Sequence, residues 1–194
     1  MKIKFWGVRG SIPTPISSQA IQSKIKNVLA CAIEKNLNSK EEIEEFLANL
    51  DKSDYGTVGG NTACIAVNAN EKLFIFDMGS GLRNLGQYLY KNEEYRNKTF
   101  YIFLSHTHWD HISGFPFFFF FFFPTNKLIL HSTIPDFQKR LEFQQDPKFF
   151  PVSMDNMHCE KQFIKLDYSS SISYDNVKVS NLRLHHPGGS FAYR

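Results

Sequence analysis

The chain is poor in the features that mark secreted, membrane-embedded or nucleic-acid-tracking proteins. Its three cysteines, Cys31, Cys64 and Cys159, are widely spaced and odd in number. That argues against a disulfide framework and fits a reducing compartment. The longest apolar run is seven to eight residues, far below the ~20 that a membrane helix needs. The opening "MKIKFWGVRGS" interleaves charges with apolar residues and lacks the apolar core of a signal peptide. No block of lysine or arginine is present, and 22 basic against 19 acidic residues give a net charge of only +3. Nucleic acid is therefore a weak expectation as partner, and a membrane none at all. No internal repeat appears. A soluble, cytoplasmic protein is expected, with its oligomeric state open.

With 194 residues, 42% hydrophobic and 21% charged, the chain suits one domain with a proper core. Residues 2–8 alternate as an opening strand, broken by "RGSIPTP". Ile21, Ile25, Val28, Leu29, Ala32 and Ile33 share one face of a helix over residues 19–35. Ser39 and Glu42 form a capping box for a second helix with Ile43, Phe46, Leu47 and Leu50 on its apolar face. Both are expected to form a helical insert at about residues 18–52, packed over a neighbouring sheet, within one domain spanning 1–194. Strands follow at 62–68, 72–77, 99–104 and 127–131, with a helix over about 81–91. That alternation predicts an α/β fold. Late segments "QFIKL", "SISY" and "VKVSNLRL" have the spacing of short antiparallel strands.

Chemistry concentrates in "LSHTHWDHISG". Three of the seven histidines fall within six residues, interleaved with Asp110. Neutral imidazoles and a carboxylate are ligands that zinc, iron and manganese accept. In an extended turn after a strand, His106 and His108 can face one side. Asp110 and His111, a turn later, can then serve a second ion ~3.5–4 Å from the first. The bland alternative, a histidine-rich surface loop, explains the preceding hydrophobic strand less well.

"HTHWDH" matches the HxHxDH motif, and the chain resembles the metallo-β-lactamase-fold metal-dependent hydrolases. "WGVRGSIPTP", "GGNTACIAV", "FDMGSGLRNLG" and "HPGGSFAYR" are similar to the subgroup of ribonuclease Z and the cyclic phosphodiesterases. The resemblance implies an αββα four-layer sandwich with two divalent metal ions at one edge, most simply zinc, with manganese or iron as alternatives. It implies that His106, His108 and His186 bind the first ion, with His186 preferred to His185, and that Asp110 and His111 bind the second. Asp77 is implied to orient loops around the site, and Gly59, Gly60 and Asn61 to shape a turn beside it. His131 and His158 match no ligand position. The implied activity is hydrolysis of a phosphodiester, as in a small or cyclic nucleotide, by metal-activated hydroxide, with Asp110 also orienting the nucleophile.

The pattern departs from that subgroup late in the chain. A bridging aspartate and a final histidine are expected beyond the strand of "GSFAYR", and nothing follows Arg194. The fold is therefore expected to be incomplete at its C-terminus, as a fragment or frameshift product. The alternative function is a non-catalytic remnant or binding module. Phe117–Phe123, seven consecutive phenylalanines, are expected to be core filler rather than an aromatic lip for an apolar substrate.

Overall fold

The computed structural model describes residues 1–57 and 59–194. The chain divides into two compact units, one made of Met1–Pro13 and Asn61–Arg194, the other of Thr14–Gly60.

The larger unit is built on a six-stranded sheet in chain order: β1 (Lys2–Gly7), β2 (Cys64–Ala69), β3 (Lys72–Phe76), β4 (Thr99–Leu104), β5 (Lys127–Ser132) and β6 (Glu160–Lys165). The pairs β1/β2 and β2/β3 are antiparallel, and β3 to β6 run parallel. The parallel strands "KLFIF", "TFYIFL" and "KLILHS" are apolar on both faces, as a sheet covered on both sides requires. Alternation divides them. Leu73, Ile75, Phe100, Ile102, Leu104, Leu128 and Leu130 point into one core. Phe74, Phe76, Tyr101 and Phe103 point into a second.

The first core is closed by α4 (Gly81–Tyr90) through Leu82, Leu85 and Leu89, and by α6 (Phe137–Gln144) through Phe137 and Leu141. The second is closed by a smaller antiparallel sheet of β7 (Ser171–Tyr174), β8 (Val177–Leu184) and β9 (Ser190–Tyr193). Helices, large sheet and small sheet thus stack in layers. Leu182 and Leu184 on β8 remain exposed.

One reading of the late strands is corrected. Residues 162–165 of "QFIKL" end β6, which joins the large sheet parallel to β5 instead of pairing antiparallel. Parallel neighbours need a crossover, here the stretch containing α6. That helix buries only Phe137 and Leu141, too few apolar positions to announce it in the sequence.

The phenylalanine run splits by side. Phe118, Phe120 and Phe121 are buried in the first core, while Phe117, Phe119 and Phe123 are exposed. Two short 3-10 turns, Phe115–Phe117 and Phe119–Phe122, carry the segment.

In the smaller unit, α1 (Ser18–Lys35) is capped by Ser17 and ends on Asn36 in the left-handed region. The capping box of Ser39 and Glu42 starts α2 (Lys40–Asn49), and α3 (Lys52–Tyr55) follows. Thr14 N–H donates to the Gly60 carbonyl (2.8 Å), joining the ends of the unit. None of its helices contains a buried residue. Among the described residues, no helix is long and apolar enough to cross a membrane.

Candidate metal centre

Three loops at one edge of the large sheet build the site. Two leave the carboxyl ends of the adjacent parallel strands β3 and β4, where α/β sheets present binding residues. The third is the β8–β9 connection carrying His186.

Asp77, directly after β3, holds the first two loops together. Its backbone is left-handed (φ 62°), a conformation that aspartate tolerates better than most residues. Its N–H donates to the Phe103 carbonyl (2.9 Å). Oδ1 accepts from Ser105 N–H (2.8 Å), and Oδ2 from Ser105 Oγ (2.8 Å) and His111 Nδ1 (2.8 Å). Backbone bonds reinforce the join: Met78 N–H to the His111 carbonyl (2.8 Å), and Gly114 N–H to the Met78 carbonyl (2.8 Å). The loops approach so closely that a Cβ on Gly114 would lie 2.0 Å from the Gly79 carbonyl oxygen. A side chain there has no room. Asp110 lies on α5 (Trp109–Ile112), a single turn, and its Oδ2 accepts from Ser11 N–H (2.8 Å).

Three imidazoles converge beside this frame. His108 Nδ1 lies 3.1 Å from His106 Nε2 and 3.1 Å from His186 Nε2. One ligand nitrogen from each ring falls within 4.8 Å of the others. A neutral Nδ1 has either one hydrogen or one lone pair, so it cannot bond fully to two ring nitrogens at once. A shared cation resolves the conflict. With metal–nitrogen distances of ~2.0–2.1 Å, tetrahedral ligand atoms sit ~3.3–3.4 Å apart, close to the spacing seen. The donor set fits a divalent ion such as zinc. His106 Nδ1 is approached by Ser105 Oγ (3.0 Å) and Ser190 Oγ (3.4 Å), which fix its ring.

His111 stands against this group, its ring centroid 4.0 Å from that of His106. With Nδ1 directed at Asp77, its Nε2 faces Asp110 Oδ2 at 3.5 Å. This carboxylate–histidine arrangement orients a metal-ligating imidazole. Burial and the adjacent His111 push the His106 pKa down to about 4, leaving the ring in the neutral form that binds metals. Burial pulls His111 downward, but the hydrogen bond and charge of Asp77 outweigh it and raise the pKa. For Asp110, burial favours the protonated form, yet the Ser11 N–H and His111 prevail and hold the carboxylate below its usual range.

The structure thus brings His106, His108 and His186 together and sets Asp110, His111 and Asp77 next to them. Asn61 Oδ1 accepts from Ser80 Oγ (3.1 Å), while its carbonyl accepts from Val8 and Arg9 N–H (3.0 and 2.9 Å). It braces the turn leading into α4 and is not in the histidine group. His185 and His158 are exposed and outside that group. His131 is buried between the sheets, bonded to the Ile102 carbonyl (2.9 Å) and the Tyr174 hydroxyl (2.6 Å). Sequence reasoning missed Ser105, Ser11 and Ser190. Ser105 had a local signal, because it immediately precedes His106. Ser11 had none, lying 99 positions from the carboxylate it binds.

No family model matches the chain, and no curated protein matches it. Solved structures do. A diphosphatase from the PhnP family is 16% identical over 99% of this chain and 61% of its own, with a TM-score of 0.58. Human tRNase Z, short form, is 14% identical over 100% of this chain and 64% of its own, with a TM-score of 0.55. The chain therefore has the metallo-β-lactamase fold, an α/β architecture, and spans rather under two thirds of the length of these structures.

Proposed function

We propose that the protein is a metal-dependent hydrolase that cleaves a phosphodiester, as in a small or cyclic nucleotide. The observation carrying this reading is the convergence of the His106, His108 and His186 nitrogens on one point, beside a second donor pair. His106, His108 and His186 would hold one divalent ion and Asp110 with His111 a second, zinc being the simplest choice and manganese or iron the alternatives. Such ions supply a water that ionises near neutral pH and positive charge opposite the oxygens that become negative during displacement.

The chain's own residues do the rest. Asp77 keeps the hydrogen of His111 on Nδ1 and so leaves Nε2 for ligation. Ser105 and Ser190 hold the His106 ring, and the Ser11 N–H orients Asp110. The remaining Asp110 oxygen can accept a hydrogen from an attacking water and aim its lone pair at phosphorus. The activities named for the diphosphatase and tRNase Z, both acting at phosphorus–oxygen bonds, support the choice of a phosphate ester. The nearly balanced net charge (+3) favours a small substrate over a long nucleic acid.

The test combines metal stoichiometry with turnover of bis(p-nitrophenyl) phosphate. About two equivalents of metal with chelator-sensitive hydrolysis is expected. One equivalent or fewer without turnover would instead indicate a binding module.

A further inference from the structure

Alongside the histidine group lies a cavity of about 720 Å³, within the range of small-molecule sites. It shares its wall with the metal loop. Trp109, Ile112, Ser113 and Pro116 follow helical spacing and line the cavity, whereas Asp110 and His111, between them, face the site. The opposite wall is one face of α6, with Lys139 and Phe143, and Arg140 and Gln144, as i, i+4 pairs.

Two properties of this cavity define its occupant. It is aromatic, and the rings are exposed: Trp109 is 84% accessible, Phe143 65% and Phe149 66%. Large apolar side chains so placed around a concavity mark a binding site. Its positive charge is placed at the junction with the histidines. Arg140 Nη1 donates to Thr107 Oγ1 (2.8 Å), the residue between His106 and His108, while Nη2 pairs with Asp136 (2.9 Å). Further guanidinium hydrogens and the Lys139 ammonium remain to meet an anion.

We infer that this cavity is a base subsite: it stacks the nucleobase of a nucleotide ester between Trp109 and the Phe143–Phe149 pair, with Arg140 taking the phosphate at the metal loop. A planar ring with an attached phosphate matches both properties. An aliphatic chain would leave Arg140 unused and the exposed rings without a stacking partner. The inference rests on reading the adjacent histidines as the hydrolytic centre, and adds the group that this centre selects.

The chain has two tryptophans, so Trp6→Phe leaves Trp109 as the sole tryptophan, read selectively by exciting beyond the tyrosine absorption band. Titration with adenosine 5′-monophosphate should quench it, at least about tenfold more tightly than ribose 5-phosphate binds, given the strength of base–aromatic stacking. Calorimetry on the unsubstituted chain should return the same ratio, independently of any effect of the tryptophan change. Phe143→Ala and Phe149→Ala should each draw the ratio toward one. Equal affinity for the two phosphates, or a ratio unmoved by both substitutions, overturns the subsite. Hydrolysis of methyl p-nitrophenyl phosphate, which has no base, separates the two readings. Turnover with equal affinities removes the subsite and keeps the hydrolase. Base-selective binding without turnover removes the hydrolase and keeps the subsite.

Discussion

Replacing Asp77 by asparagine tests how the frame controls the site. In the native chain Oδ1 accepts from the Ser105 backbone, and Oδ2 from the Ser105 hydroxyl and His111 Nδ1. Asparagine has only one accepting oxygen, so either orientation sets an NH2 donor against a donor. If the NH2 faces Ser105 N–H, a part-buried backbone donor loses its partner. If it faces His111, the imidazole must move its hydrogen to Nε2, the nitrogen facing Asp110. Each charge-assisted hydrogen bond contributes ~1.5–3 kcal/mol, so a loss of about 2–4 kcal/mol in unfolding free energy is expected. Loss of the orienting carboxylate should also weaken metal binding at His111 by ~10–100-fold. Urea unfolding in chelator isolates the first effect, and competition with a chromophoric chelator measures the second. An Asp77→Asn protein with unchanged midpoint and full metal stoichiometry would refute the reasoning.

Further outcomes follow from the packing and the buried histidine. Phe118→Ala should cost about 3–5 kcal/mol, because Phe118 is fully buried against Gly86, whereas Phe119→Ala on the exposed side should cost under about 1 kcal/mol; equal costs would contradict the division of the run. Burial pushes the His131 pKa down to about 4 from an ordinary 6.5. The unfolded chain therefore takes up the proton first, so stability is intact above about pH 6.5 and falls as the pH drops toward 4. Between pH 7 and 4.5 His131 should account for a loss on the order of 2–3 kcal/mol. Urea midpoints of His131→Gln, in chelator, should show a correspondingly smaller pH dependence than the parent; an identical slope would count against it.

Local patterns in the sequence were the readable ones. The "HTHWDH" run declares its chemistry within six residues, and Ser39 with Glu42 declares a helix start. The two-sided apolar strands β3, β4 and β5 were visible as strands because the runs are short and rich in aromatic and branched residues, too short for a buried helix. Contacts between distant segments were hidden. Ser11 reaches Asp110 only after the first strand joins the sheet, and Ser190 reaches His106 only through the β8–β9 loop. The parallel placement of β6 depends on α6, whose two buried residues leave little periodic signal. The phenylalanine run contains no polar position to show which rings face inward, so only packing reveals it.

Three imidazoles holding one cation can be tested directly. Metal content after dialysis against a zinc buffer is measured by elemental mass spectrometry for His106→Ala, His108→Ala and His186→Ala beside His158→Ala and His185→Ala. Each of the first three should lose zinc relative to the parent and the last two should keep it. Full retention in His186→Ala with loss in His185→Ala, or retention in all five, would contradict a shared cation.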